Sequence, residues 1–191
     1  MKIYLLRHGE TDWSKIGRLQ GHTDIPLNET GIAQVKSAGE YFSNINETID
    51  VIITSPLIRA KKSAEIVAEV INYPKEAIIV EPNFIERNFG LGEGLEPEER
   101  KKKFADTDQK AETVEALCKR AGKIKEYARQ YYGKTLLITA HGSIIKAILA
   151  SATDGAFSYS EGRVAFSTGE FCILEYDGEK FNLALKGEGN L

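Results

Sequence analysis

Three short hydrophobic runs divide the chain, at residues 3–6, 51–53 and 136–138. Unbroken apolar runs of this length are typical of strands that are buried on both faces of a sheet. Each run leads into a segment whose apolar positions recur at helical spacing. Strands that alternate with helices predict an α/β fold, with a mostly parallel sheet and helices on both faces.

The helical segments carry start signals that agree with this pattern. Asn28 is predicted to cap one helix, and Ser55-Pro56 to supply the N-cap and first position of the next. A stripe of apolar residues over 114–131 predicts one further helix. Gly142 is predicted to open a helix that follows the third hydrophobic run.

The remaining segments predict the edges of the sheet. Residues 78–80 are a candidate fourth strand, and Phe171 to Tyr176 with Phe181 to Leu185 flank an Asp-Gly turn, which indicates a hairpin. This hairpin would add antiparallel strands at one edge. Residues 91–112 are rich in glycine and then in charge, and they predict a small helical cap excursion over one end of the sheet.

Composition narrows the class of protein. A chain of 191 residues and 21.2 kDa fits a single domain over 1–191. The net charge of −3 argues against a nucleic-acid partner, and no apolar run is long enough to span a membrane. Cys118 and Cys172 match no metal or disulfide spacing, and we expect reduced thiols in a cytoplasmic protein.

Polar residues with distinctive chemistry follow each of the three hydrophobic runs. Arg7-His8 follows the first, Arg59 lies one helical turn beyond the second, and His141-Gly142 follows the third. Because ligands bind at the carboxyl ends of parallel strands, we expect two histidines and two arginines to converge. Two permanent guanidinium charges repel a metal ion and match the oxygens of a phosphoryl group.

Such a cluster has the chemistry for phosphoryl transfer. A neutral imidazole beside a bound phosphoryl group is a nucleophile, and either His8 or His141 fits that role. A carboxyl group is then needed for the leaving oxygen, and Glu10, Glu86 and Glu93 are all candidates. Helix N-termini after the second and third runs are expected to add N–H donors, and glycine after each histidine is expected to let the backbone approach the ligand.

Four motifs in this order resemble those of the histidine phosphatase superfamily, the phosphoglycerate mutase-like group, and the resemblance covers nearly the whole chain. They are Leu-Arg-His-Gly-Glu-Thr at 6–11, Ser-Pro-Leu-Ile-Arg-Ala at 55–60, Ile-Glu-Arg-Asn-Phe-Gly at 85–90 and Ala-His-Gly-Ser at 140–143. The resemblance implies a three-layer α/β/α sandwich that uses no metal and no cofactor.

The resemblance also implies roles for single residues. It assigns catalysis to His8 as the nucleophile, Glu86 as the acid and then the base, and Arg7, Arg59 and His141 as ligands of the phosphoryl oxygens. It assigns substrate binding to Ser14, Gln20 and Gly142. His22 receives no role, and the basic run at 100–103 is expected to be a solvated helix face.

The resemblance implies a phosphatase that hydrolyses small phosphate monoesters, with a small phosphorylated metabolite as its partner. Ser14 and Gly92 stand where many members have asparagine and tryptophan, so the substrate stays open. The alternatives are a phosphoglycerate mutase, which the short chain disfavours, and a dedicated α-ribazole-phosphate or sugar-bisphosphate phosphatase. A phosphoryl-binding module without turnover, a metal enzyme and a homodimer are also left open.

Overall fold

The computed structural model of the chain describes residues 1–45, 47–103, 110–154, 157–159 and 166–184. Within these residues the strands form one sheet with the order β3-β2-β4-β1-β5-β6. The strands are β1 (Lys2–Arg7), β2 (Val51–Thr54), β3 (Ile79–Val80), β4 (Leu136–Ala140), β5 (Phe171–Tyr176) and β6 (Phe181–Ala184).

Helices connect and cover these strands. They are α1 (Asp12–Lys15), α2 (Glu29–Asn44), α3 (Ile58–Val70), α4 (Pro97–Lys103), α5 (Val114–Ala121), α6 (Lys123–Gln130) and α7 (Gly142–Ala152). Short 3₁₀ helices span Lys75–Ala77, Pro82–Phe84 and Gly90–Gly92. The side chain of Asn28 accepts a hydrogen bond from the N–H of Gly31, so the predicted cap of α2 is confirmed.

The sheet is parallel from β3 through β2 and β4 to β1, and antiparallel from β1 through β5 to β6. Leu5 in β1 lies opposite Ile138 in β4 and Cys172 in β5. The predicted mostly parallel sheet with an antiparallel edge and a C-terminal hairpin is therefore confirmed. The three hydrophobic runs form β1, β2 and β4, which are neighbours at its centre.

Successive residues of the central strands face opposite layers of helices. Ile3 and Leu5 belong to the core cluster that includes Leu117, Ile124 and Ile148 of α5, α6 and α7. Tyr4 and Leu6 belong to a second cluster, which is formed with α2 and α3. Because residues along a strand alternate between faces, one buried strand contributes to both cores. The predicted three-layer α/β/α sandwich is confirmed.

Two helix boundaries differ from the prediction. The stripe over 114–131 is divided into α5 and α6 at Gly122, where an added Cβ would lie 3.2 Å from the Ser151 hydroxyl of α7. The helix is therefore divided at a glycine that packs against α7, although the apolar pattern continues through it. The helix α3 begins at Ile58 rather than at Ser55-Pro56, and the carboxylate of Asp24 accepts its first N–H at 2.8 Å.

The predicted cap excursion over 91–112 contains α4, and residues 104–109 lie outside the described part of the chain. Among the described residues, the helices are all too short or too polar to cross a membrane. The single domain, the homodimer and the cytoplasmic location stay predictions.

Gly9 packs closely against the backbone of α2, and the expectation that it gives a ligand access to the backbone stays a prediction. An added Cβ at Gly9 would lie 2.2 Å from the carbonyl oxygen of Gly31 in α2. The same is true of Gly31, where a Cβ would lie 2.1 Å from the Glu10 carbonyl oxygen. Two glycines thus let the loop after β1 pack directly on α2.

Substitution of Gly9 by alanine is expected to destabilise the fold. The clash is with backbone atoms, which cannot move aside like a side chain, and the loss in unfolding free energy should be about 3 kcal/mol. Urea denaturation measures it. Gly142→Ala is the matched control because its Cβ would meet atoms only at 3.8 Å and beyond. Equal stability of the two variants would contradict the close contact.

Candidate active site

The carboxyl ends of β2, β4 and β1 lie side by side and bring the polar residues after each strand together. The N–H of His8 donates to the Ala140 carbonyl at 3.0 Å, and the N–H of Ser55 donates to the Thr139 carbonyl at 3.0 Å. These bonds extend the ladders past the strand ends. The rings of His8 and His141 have their centroids 5.1 Å apart, so the two histidines meet as expected.

The imidazole of His8 is held in one tautomer. Its Nδ1 lies 2.7 Å from the carbonyl oxygen of Gly9, which can only accept, so Nδ1 carries the proton. Burial lowers the pKa of His8 well below its ordinary value, and the charges of Arg59 and Arg7 lower it further. The ring is therefore neutral, and its Nε2 keeps a lone pair.

The ring of His141 is bound on both sides. The Nε of Arg59 donates to its Nδ1 at 3.2 Å, so the proton of the neutral ring lies on Nε2, which contacts the Ser55 hydroxyl at 2.7 Å. Burial lowers the pKa of His141 well below its ordinary value. Because both ring nitrogens have protein partners here, its contact to a phosphoryl group stays a prediction.

Arg59 is fully buried and is held by backbone carbonyls. Its Nη1 donates to the Thr23 carbonyl at 2.9 Å, and its Nη2 donates to the Gly21 carbonyl at 2.8 Å. Burial lowers the pKa of Arg59 to about 10, although carboxylates, with Glu86 first among them, raise it. The guanidinium keeps further N–H groups that these contacts do not use.

Arg7 supplies the second guanidinium from the end of β1. Its Nη1 donates to the Phe166 carbonyl oxygen. Its Nε is buried, and no group among the described residues accepts a hydrogen bond from it. Burial lowers the pKa of Arg7, whereas the charge of Glu86 raises it.

Of the three candidate carboxylates, Glu86 is the one that lines the cavity with His8, Arg7 and Arg59. Glu10 instead accepts a hydrogen bond from the Asn28 side chain at 3.0 Å. Glu93 holds two loops together. Its Oε1 accepts from the N–H groups of His22 and Phe89, and its Oε2 accepts from the N–H and hydroxyl of Thr23.

The carboxylate of Glu86 occupies the N-terminus of α7. It accepts hydrogen bonds from the backbone N–H groups of Ser143 at 3.2 Å, Ile144 at 3.1 Å and Arg87 at 2.8 Å. The expectation that this helix start offers its N–H groups to the phosphoryl group is thus corrected for these two donors. At the start of α3, the N–H of Leu57 contacts the Ser55 hydroxyl at 3.3 Å, so that donor is also taken by protein.

Arg120 of α5 holds the segment that carries Glu86, and the sequence patterns missed it. Its guanidinium donates to the Glu86 carbonyl at 2.9 Å and to the carbonyls of Asn83 and Ile85 at 2.6 Å. Its other partner is the Glu112 carboxylate, which it meets with Nε at 2.6 Å and Nη2 at 2.8 Å. The sequence around Arg120 contains no motif that predicts these contacts, because its partners lie up to 37 positions away.

His22, which received no role from the sequence, contacts the same segment. Its Nε2 lies 2.8 Å from the Glu86 carbonyl oxygen, which also accepts from Arg120. The main chain of Glu86 is therefore held from two sides, by His22 on the loop before α2 and by Arg120 on α5.

A cavity of about 380 Å³ opens above this cluster. Ser14, Gln20 and Gly142 line it, as predicted for substrate contacts, although Ser14 also closes the capping box of α1 with Thr11. Arg100 lines it too, so the basic run at 100–103 is not wholly a solvated face. Within the described chain, no group of three or more histidine, cysteine or acidic side chains is arranged to hold a metal ion.

Comparison with known proteins identifies the family. The family model described as histidine phosphatase superfamily (branch 1) matches residues 3–188. The chain belongs to the histidine phosphatase superfamily. The predicted family is therefore confirmed, and so is the predicted class of enzyme, a phosphatase of this family.

Individual relatives agree with this membership. A Bacillus subtilis protein named uncharacterized phosphatase PhoE is 42% identical over 155 residues, which are 80% of this chain and 78% of that protein. A Photorhabdus laumondii protein named probable phosphoglycerate mutase GpmB is 31% identical over 92% of this chain and 85% of its own length. The solved structure of Bacillus stearothermophilus YhfR matches with a TM-score of 0.84 and 27% identity, covering 100% of this chain and 97% of that one.

The buried imidazoles of His8 and His141 should make stability depend on pH. Since the pKa of each is lowered in the folded chain, the unfolded chain binds protons first as the pH falls below about 6.5, and stability is lost. Each ring contributes a slope of up to about 1.4 kcal/mol per pH unit. We expect the unfolding free energy to fall from about pH 6.5 to about pH 5.5, with about half that slope in His8→Asn. The unfolding free energy is measured by urea denaturation at each pH. The same dependence on pH in the wild type and in His8→Asn would contradict the neutral buried ring of His8.

Proposed function

We propose that this chain hydrolyses small phosphate monoesters through a phosphohistidine formed on His8. The observation that carries the proposal is the neutral ring of His8, which lines one cavity together with two guanidiniums and one carboxylate. A nucleophile, fixed positive charge and a proton donor are the groups that this reaction requires.

In the first step the phosphoryl group of the ester binds beside Arg7 and Arg59. The Nε2 lone pair of His8 forms a bond to phosphorus as the bond from phosphorus to the ester oxygen breaks. Glu86 gives its proton to that oxygen, and the alcohol leaves. The cationic side chains stabilise the charge on the transferring oxygens, and His141 is proposed to assist them.

In the second step a water molecule attacks phosphorus and gives a proton to the Glu86 carboxylate. The bond from phosphorus to Nε2 breaks, which returns the lone pair to His8, and inorganic phosphate is released. Ser14, Gln20 and Gly142 are proposed to contact the substrate, since all three line the cavity. The chemistry assigns no step to a metal or a cofactor.

A mutase is the second candidate, and the similarity to the protein named probable phosphoglycerate mutase favours it. The two functions differ in the acceptor of the phosphoryl group, which is water in one and a second hydroxyl in the other. Incubation with 3-phosphoglycerate distinguishes them, because hydrolysis releases inorganic phosphate and isomerisation does not. A panel that includes α-ribazole phosphate and sugar bisphosphates then compares the dedicated phosphatases.

Trapping with an alkaline, denaturing quench tests the proposed intermediate. The chain is mixed with a ³²P-labelled monoester and quenched, and we expect label that is acid-labile and stable in base, as a bond from phosphorus to nitrogen requires. His8→Ala should lose both label and turnover. Glu86→Gln should form the adduct at least about 100-fold more slowly, because it has no proton to give to the leaving oxygen.

The control for this experiment is Lys119→Gln, which keeps the nucleophile and changes an exposed side chain of α5. It should still form the adduct. The mechanism is wrong if His8→Ala retains wild-type turnover, or if label appears on His22 instead.

Arg120 is proposed to act as a positioning residue for Glu86. Arg120→Lys keeps the positive charge but cannot reach the Glu112 carboxylate and three carbonyls at once, so the Glu86 segment should shift. We expect kcat to fall about 10- to 100-fold with little change in KM, since misplacement of an acid by about 1 Å has effects of this size. The kcat–pH profile should also change, because Glu86 is proposed to give and take the transferred proton.

Lys119→Gln is the matched control, because Lys119 is the exposed neighbour of Arg120 in α5. It should keep the wild-type kcat and pH profile. Circular dichroism establishes that each variant is folded. A folded Arg120→Lys chain with wild-type kcat and pH profile would exclude the positioning role.

A further inference from the structure

The cavity carries more positive charge than the proposed chemistry uses. Beyond Arg7 and Arg59, its lining includes Arg18, Arg100 and Lys146. The carboxylate among the lining residues is that of Glu86. The whole chain has a net charge of −3, so the cationic lining is a local feature and not a reflection of composition.

The three additional cations differ in how their charge is balanced. Arg18 has a counter-charge, because its Nη2 donates to Glu96 at 2.6 Å, and its guanidinium lies over the ring of Trp13. Arg100 reaches only a neutral group within the described residues, the Gly17 carbonyl at 3.5 Å. Its Nε is buried and has no acceptor there.

Lys146 is also without a carboxylate partner in the described part of the chain, and it is only partly exposed. Cations that line a cavity without a counter-charge leave a positive potential there, which favours the binding of an anion. Arg100 and Lys146 are therefore two cations of the cavity wall for which the described residues supply no carboxylate.

Arg100 and Lys146 belong to different walls. Lys146 lies one turn, or about 5–6 Å, along α7 from Gly142, which adjoins the Arg7 guanidinium. Arg100 lies on α4, which is joined to the loop before α2 by the bond from Leu19 N–H to the Leu95 carbonyl at 3.0 Å. The space between the two walls is continuous with the phosphoryl site, since all these side chains line one cavity.

We propose that Arg100 and Lys146 form a second anion subsite, and that the preferred substrates are monoesters that carry a further carboxylate or phosphate group. This inference rests on the proposed function, because it names the class of ester that the same cavity binds. The ester phosphate binds beside His8, and the second anionic group binds between Arg100 and Lys146. A guanidinium and an ammonium together bind either type of anion.

Matched pairs of esters test the subsite. Phosphate release is measured for 3-phosphoglycerate against glycerol 3-phosphate, which differ by a carboxylate, and for fructose 1,6-bisphosphate against fructose 6-phosphate, which differ by a phosphate. We expect kcat/KM to favour the doubly anionic member by about tenfold or more, and the two pairs distinguish carboxylate from phosphate recognition. Lys146→Gln and Arg100→Gln should each reduce that ratio by about three- to tenfold.

Lys102→Gln is the control, because it removes one positive charge from the exposed face of the same helix as Arg100. It should leave the ratio unchanged. A wild-type ratio near one for both pairs would overturn the subsite, and so would a ratio that Lys146→Gln and Arg100→Gln leave at the wild-type value.

A binding measurement distinguishes failure of the anion subsite from failure of the proposed function. Calorimetry on the His8→Ala chain compares the Kd of 3-phosphoglycerate with that of glycerol 3-phosphate without turnover. A tighter Kd for 3-phosphoglycerate that Lys146→Gln weakens supports the subsite even if no ester releases phosphate, and that result would reject only the proposed function. Equal Kd values would reject the subsite even if both esters are hydrolysed.

Discussion

The site depends on one electrostatic constraint, which is the burial of guanidinium charge beside a neutral imidazole. A buried cation is costly unless hydrogen bonds and an anion surround it. Arg59 meets part of this demand with the carbonyls of Gly21 and Thr23 and with the Nδ1 of His141. Burial lowers the pKa of His8, and the same positive charge lowers it further. The arrangement that suits a phosphoryl dianion thus also favours the neutral form of the His8 ring.

Glu86 is the acidic residue that lines the cavity with these cations, and several hydrogen bonds fix its position. Its carboxylate accepts N–H groups at the start of α7, while its carbonyl accepts from His22 and Arg120. Arg120 is itself oriented by the bidentate contact with Glu112. Segments that are far apart in the chain therefore fix the main chain and the carboxylate of one residue, which the proposed role as an acid would require.

The same structure explains where sequence patterns succeed and where they do not. The strands were predictable because a strand covered on both faces must be apolar at every position, and that signal is local. The division of α5 from α6 was not, because the apolar stripe continues through Gly122 without a change of period. The packing of Gly9 on the backbone of Gly31 was not predictable either, because the two glycines are not adjacent in the chain.

The sequence by itself determined the layered α/β class, the family and the convergence of Arg7, His8, Arg59 and His141, since all of these follow from strand ends and motifs that are contiguous in the chain. Tertiary structure decided which of three carboxylates lines the cavity with His8, which nitrogen of His8 carries the proton, and that Arg120 holds the Glu86 segment while Arg100 lines the cavity. These properties depend on hydrogen bonds and packing between segments that are far apart in the sequence. Local sequence patterns do not predict such contacts.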